Sequence, residues 1–150
     1  MSRVVVLGLG NGLMRDEGVG ARAAERLRLV APPEVEVIEA PTLGPATLPE
    51  VEGATHLLIL DAVDAGRQPG TIIEVEPSAL GSRGASLSAH DFVVADLLVM
   101  LEHVGRSPER SLVLGVQPAV VGPGAELSPA VERALPGLVR TALSVLAAWC

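Results

Sequence analysis

The chain has 150 residues, 49% of them apolar, and a formal charge of -7. This composition excludes a disordered chain and a nucleic-acid surface, because such a surface needs clustered Lys and Arg. One Phe, one Trp and no Tyr leave no platform for base stacking, and a single cysteine, Cys150, excludes an intramolecular disulfide and a cysteine-based metal site.

The length predicts a single domain over residues 1–150. The longest apolar runs, such as 57–63 and 92–101, are shorter than the roughly 18–20 residues of a membrane span. The chain lacks a basic segment before a removable apolar stretch, because the run Val4–Leu7 leads straight into a glycine-rich turn. We therefore expect a cytoplasmic protein with no signal peptide and no membrane or nucleic-acid partner.

Apolar runs and helical patterns alternate along the chain, which predicts an α/β sandwich around a mostly parallel sheet. The nine residues between the fourth strand and the one before it are too few for a crossover helix, so we expect that strand to be antiparallel. Strands are predicted at 3–8, 35–39, 57–61, 71–76 and 111–116, and helices at 17–30, 46–52, 91–104 and 129–148.

Three helix starts carry local signals. Asp16 is a candidate cap for the first helix. Ser88 with Asp91 three residues later resembles a capping box, and Ser128 before Pro129 is typical of an N-cap followed by Pro at the first helical position.

The turn after the first strand, GLGNGLMRDEGVG, is not a nucleotide loop. Leu13 stands where a dinucleotide fingerprint needs its third glycine, and the stretch has no lysine for a phosphate loop. Asp16 and Glu17 would also repel a pyrophosphate at the start of the helix. Taken alone, the acidic pair indicates only a cap and a complement to the helix dipole.

Three side chains are expected to meet at the carboxyl edge of the sheet, where ligands of open parallel sheets bind. The first strand delivers Glu17, the strand at 57–61 ends in Asp61, and His90 lies in the first turn of its helix. The helix dipole favours neutral imidazole there, which is the form that binds metal. Two carboxylates and an imidazole predict a divalent-cation site.

Other candidates are weaker. His56 begins a strand and should lie at the opposite edge, and His103 is 13 residues after His90 on a different helix face. Asp64 is either an assisting group or a loop residue, and Asp96 reads as a solvent-facing helix position. No serine lies in a G-x-S-x-G elbow and Cys150 is terminal, so we expect no Ser or Cys nucleophile from the chain itself.

These motifs together resemble the maturation endopeptidases of [NiFe]-hydrogenases. The turn matches the family pattern GxGNxLxxDxGxG, EAPTLG at 39–44 matches its threonine–glycine element, and DAVD spans 61–64. SAHDFVVADLL at 88–98 and the final LVLGVQPAVVGPGAELSPAVERALPGLV also follow the family. The resemblance covers nearly the whole chain.

The resemblance implies a three-layer α/β/α sandwich of the phosphorylase/hydrolase-like type, with a five-stranded sheet containing one antiparallel strand. It implies an aspartic-type endopeptidase that removes the C-terminal extension of a hydrogenase large-subunit precursor. Because the domain is small and acidic, we expect a monomer. Glu17, Asp61 and His90 fall on the family's metal-site positions. Nickel would come with the substrate as the recognition element, and other divalent cations would substitute in vitro.

Several alternatives remain open at this stage. Asp16, Asp61 or a metal-bound water can activate the attacking water. A non-cleaving, metal-checking chaperone of the large subunit and a nucleotide- or flavin-binding module are the competing functions. Two positions depart from the family pattern: Pro41 replaces a glycine and Gln117 a frequently acidic residue. We expect both to alter how the substrate tail docks and neither to touch the proposed ligands.

Overall fold

The computed structural model describes residues 2–41, 45–77 and 89–150, without the side chains at 45 and 89–93. The threonine–glycine element at 42–44 and Ser88 of the predicted capping box therefore lie outside the described residues. In the described part, no helix is long and apolar enough to cross a membrane.

Five strands form one sheet in the order β2-β1-β3-β5-β4. All neighbours are parallel except β4, which runs antiparallel to β5, as the short connection predicts. The strands are β1 (Val4–Leu9), β2 (Glu36–Ala40), β3 (His56–Ala62), β4 (Ile72–Val75) and β5 (Arg110–Val116).

Within the described ranges, four α-helices cover the sheet, each close to its predicted position. They are α1 (Val19–Arg28), α2 (Leu48–Val51), α3 (Ala89–His103) and α4 (Pro129–Trp149). Two 3-10 turns, Asp16–Gly18 and Pro45–Thr47, precede α1 and α2. The first turn takes up the beginning of the helix predicted at 17–30.

Strand alternation divides the core between the two faces of the sheet. Side chains such as Val6, Leu58 and Leu114 pack with α1 and α4, and side chains such as Leu7 and Ile59 pack with α2 and α3. Strand β1 is buried throughout and β3 is buried from its second residue on, so a polar side chain in these stretches is an exception that needs a reason. This architecture is the predicted three-layer α/β/α sandwich.

Candidate active site

Two glycines place the first 3-10 turn against the carboxyl end of the sheet. Gly10 has a φ of 118°, and a side chain on it would collide with the carbonyl oxygen of Glu17. Gly20, at the start of α1, lies directly on the carbonyl oxygens of Leu9 and Leu60, where no Cβ can fit. The glycines therefore allow a close approach of backbones that brings Glu17 to the ends of β1 and β3.

Asp16, the other acidic residue of this turn, is fully buried at 0% exposure. Its Oδ2 accepts hydrogen bonds from the backbone N–H groups of Ala119 (2.8 Å) and Val120 (2.9 Å) and from the Ser128 hydroxyl (2.7 Å). Its Oδ1 accepts one from the Ser128 N–H at 2.7 Å. The carboxylate therefore ties the loop after β5 and the start of α4 to the glycine-rich turn.

Burial of the Asp16 carboxylate acts to raise its pKa, but the hydrogen bonds from Val120, Ser128 and Ala119 outweigh burial and hold the pKa below its ordinary value. The group is therefore ionised at neutral pH, with most of its acceptor capacity in use.

The prediction that Asp16 caps α1 is wrong. The N-cap of α1 is Gly18, and the Asp16 carboxylate instead serves the loop 103–112 residues further along the chain. Ser128 does occupy the N-cap position of α4 with Pro129 following, but its hydroxyl donates to Asp16 rather than to its own helix.

Backbone hydrogen bonds join the same two segments. The N–H of Arg15 donates to the Gly124 carbonyl at 2.9 Å, and the N–H of Gly124 donates to the Leu13 carbonyl at 2.9 Å. Arg15 has a φ of 52°, an unfavourable value for a residue with a side chain, and its carbonyl accepts the N–H of Gly18 at 2.9 Å. The backbone just before Glu17 is thus hydrogen-bonded both to the loop around Gly124 and to the 3-10 turn itself. The sequence patterns did not predict these hydrogen bonds.

Asp61 is 2% exposed at the carboxyl end of β3, opposite Gly115 of β5. Its Oδ1 accepts the N–H of Ala62 at 2.8 Å. Alternation places Asp61 on the sheet face of Ile59 and Val63, which α2 and α3 cover. The first 3-10 turn contacts β3. Glu17, which is partly exposed, therefore lies at the same end of the sheet as the buried Asp61, as predicted.

Helix α3 begins at this same edge. Its buried residues Val94, Leu97 and Leu101 pack on the sheet face that carries Asp61. Its C-terminal end leads through a short loop to Glu109, whose N–H donates to the Thr55 carbonyl (2.7 Å) beside the start of β3, so the helix runs opposite to the strands. The backbone of His90 therefore lies toward the carboxyl edge.

The His90 side chain is outside the described residues, so the predicted ligand set of Glu17, Asp61 and His90 remains a prediction. Among the side chains that are described, no three His, Cys, Asp or Glu residues form a metal-binding group. The donor types, two carboxylates and one imidazole, suit a divalent first-row metal and leave positions for further ligands.

The structure also reveals a buried amide that sequence reasoning noted only as a departure from a pattern. Gln117 is 6% exposed and follows β5 directly. Its Oε1 accepts the N–H groups of Ala65 (2.8 Å) and Arg67 (3.1 Å), and its Nε2 donates to Asp64 Oδ1 (3.1 Å). The loop after Asp61 is therefore held by this side chain.

The weaker candidates lie where the sequence predicts. His56 begins β3 at the amino edge, where its ring lies 5.4 Å from that of Trp149. His103 ends α3 and Asp96 is exposed on its surface. None of these three belongs to the carboxyl edge.

Comparisons with known proteins show which family this chain is similar to. A family model described as hydrogenase maturation protease matches residues 21–145. The hydrogenase 2 maturation protease of Escherichia coli (strain K12) is 33% identical, over 96% of this chain and 90% of that protein. Hydrogenase expression/formation protein HupD of Rhodobacter capsulatus is 34% identical, over 98% of this chain and 72% of that protein.

A solved structure shares the fold. The hydrogenase maturating endopeptidase HybD from E. coli superposes with a TM-score of 0.86, at 30% identity, over 96% of this chain and 91% of that one.

Proposed function

Because the chain belongs to the hydrogenase maturation protease family, we propose that it is an endopeptidase that removes the C-terminal extension of a [NiFe]-hydrogenase large-subunit precursor. The observation that carries the proposal is Asp61, a carboxylate buried at the end of a central strand beside the turn that presents Glu17. Burial and the hydrogen bond from Ala62 hold this carboxylate at the edge of the sheet where ligands of parallel sheets bind.

In this proposal nickel belongs to the substrate, with thiolate ligands from the large subunit. Glu17, Asp61 and His90 supply ligands to the nickel that the precursor already holds, and this contact orients the scissile peptide bond. Cleavage is thereby restricted to precursor that has received its metal, and other divalent cations would substitute in vitro. We further propose that the protein acts as a monomer in the cytoplasm.

Asp16 and Asp61 were the two carboxylates that the sequence offered as acid/base groups. Asp16 already accepts four hydrogen bonds, and its lowered pKa makes it a poor proton acceptor. We therefore assign Asp16 to positioning of the loop and Glu17, which leaves Asp61 or a metal-bound water to activate the attacking water.

The test is processing of purified nickel-loaded precursor, followed by mass spectrometry of the large subunit. Variants E17Q, D61N and H90Q should each lower the processing rate about a hundredfold or more, because each removes a ligand or the base. Matched controls are E25Q on the exposed face of α1 and H103Q at the far end of α3, which should process at the parental rate.

Three results would contradict the proposal. Parental rates in E17Q, D61N and H90Q would disprove the site, and equal processing of nickel-free precursor would disprove nickel recognition. A precursor that binds the protein but keeps its full mass would favour the non-cleaving chaperone.

A further inference from the structure

Resting on the proposed function, we propose that Gln117 is a positioning residue whose side-chain amide fixes the segment 62–71 as part of the rim that receives the substrate. This segment continues directly from Asp61 and includes the exposed Asp64. The inference starts from the hydrogen bonds of one buried side chain.

The partners of Gln117 determine which end of the amide is oxygen. The N–H groups of Ala65 and Arg67 require an acceptor, which is Oε1. On the other side the Asp64 carboxylate and the Pro118 carbonyl (3.3 Å) require a donor, which is Nε2. All four hydrogen-bonding positions of the amide are used, so in this chain the glutamine satisfies each of these partners.

The backbone of Gln117 reinforces the same connection. Its N–H donates to the Thr71 carbonyl at 2.9 Å, and its carbonyl accepts the N–H of Gly70 at 2.9 Å. At the other end of the segment, the N–H of Val63 donates to the Val116 carbonyl at 3.0 Å, and Val63 packs closely over Gly115. The side chain thus holds the middle of a loop whose two ends are already attached to β5.

The family often has an acidic residue at this position, but in this chain a glutamate would lose the two hydrogen bonds that Nε2 donates. Its carboxylate would still accept the N–H groups of Ala65 and Arg67, but its second oxygen would face the Asp64 carboxylate and the Pro118 carbonyl. Two carboxylates and a carbonyl then face one another beside the buried side chain of residue 117, with no donor between them. The rim around Asp64 must shift, while Asp61 keeps its strand position and its Ala62 hydrogen bond.

This geometry predicts an effect on substrate binding rather than on the chemical step. In Q117E the KM for nickel-loaded precursor should rise about tenfold, the scale of a lost hydrogen bond to a charged group, with kcat changed less than about twofold. An unchanged KM, or a loss confined to kcat, would overturn the proposal.

A double variant tests whether Asp64 is the partner through which Gln117 acts. In Q117E/D64N the amide introduced at position 64 can donate to the carboxylate introduced at position 117, so the pair is restored with reversed polarity. Measured against D64N, the Q117E change should then raise KM by about twofold or less instead of tenfold. Independent, multiplicative effects of the two changes would contradict the assignment.

A second measurement does not depend on activity. Arg67 is exposed, so trypsin can cleave after it once the loop opens. Variant Q117L, which removes both halves of the amide, should be cut after Arg67 about tenfold faster than the parent, with unchanged cutting after Arg26 in α1. The control D64N keeps an acceptor for Nε2 and should be cut at the parental rate. Equal cutting of Q117L and the parent would overturn the loop's dependence on Gln117.

The two failures are distinguishable. If the parental protein does not cleave precursor while Q117L still opens the loop, the proposed function fails and the role of Gln117 in substrate binding falls with it. If the parental protein cleaves precursor and the Gln117 variants match it in KM and in trypsin cutting, only the present inference fails.

Discussion

At the residue scale, the acidic pair Asp16–Glu17 divides two tasks between neighbouring side chains. Asp16 is fully buried and accepts four hydrogen bonds, whereas Glu17 is partly exposed at the same turn. Because Asp16 holds the loop and the start of α4, its neighbour is presented from a fixed backbone. The charge of Asp16 is therefore structural.

Replacing Asp16 with asparagine should destabilise the fold. An asparagine keeps one acceptor oxygen and turns an N–H2 group toward buried N–H donors, so D16N should lower the free energy of unfolding by about 3 kcal/mol. Urea denaturation measures this loss. The control S128A removes only one of the four donors to Asp16 and should cost about 1 kcal/mol. Equal stability of D16N and the parent would refute the assigned role.

The same carboxylate should make stability depend on pH in the acid range. The pKa of Asp16 in the folded protein lies below its ordinary value of 3.8, so its contribution is present above that value and is lost as pH falls through the folded pKa. The stability difference between the parent and D16N should be constant from pH 7 to about 5 and shrink below pH 4. Denaturation curves across this range test it, and a difference that grows on acidification would contradict the sign.

At the element scale, contact between α1 and the sheet depends on the absence of a side chain. Gly20 lies on backbone oxygens of Leu9 and Leu60, which cannot move without breaking two neighbouring strands. This contact fixes where α1 begins, and therefore where the turn before it presents Glu17. A glycine is thus required at position 20 so that α1 can pack directly on the backbone of the sheet.

Adding one methyl group at this contact should be costly. G20A should lower the free energy of unfolding by more than about 2 kcal/mol, because the new Cβ meets backbone rather than a movable side chain. G12A is the matched control in the same turn, since a Cβ there has no neighbour within 4 Å, and it should change stability by less than about 0.5 kcal/mol. Urea denaturation of G20A and G12A measures the two changes in stability, and equal effects would disprove the close-contact explanation.

At the scale of the whole molecule, the sheet separates two apolar layers that share only the strands. Leu138 of α4 and Leu101 of α3 are both 0% exposed and lie on opposite faces of the sheet. Each apolar layer reaches the carboxyl edge of the sheet through the start of one helix. Helix α4 begins where Ser128 contacts Asp16, and α3 begins next to His90. The two layers hold the carboxyl edge together from opposite sides.

Core truncations in the two layers should be large and independent. L101A and L138A should each lower the free energy of unfolding by about 2–5 kcal/mol through lost burial and a cavity. Their sum should match the double variant within about 0.5 kcal/mol, since the two side chains share no layer. Denaturation of the two single variants and the double variant measures this, and strong coupling would indicate that the layers touch directly.

The alternating elements, the antiparallel β4 and the family follow from the sequence, because long apolar runs and motif spacing are local signals. The sequence also predicted Glu17, Asp61 and His90 at one edge, since the carboxyl ends of parallel strands meet there. The tertiary structure alone decided what Asp16 and Gln117 do. The partners of Asp16 are Ala119, Val120 and Ser128, and those of Gln117 are Asp64, Ala65 and Arg67. All of these partners lie 50 or more residues away along the chain. A buried polar group takes whichever partners the fold brings to it, and local sequence carries no record of that choice.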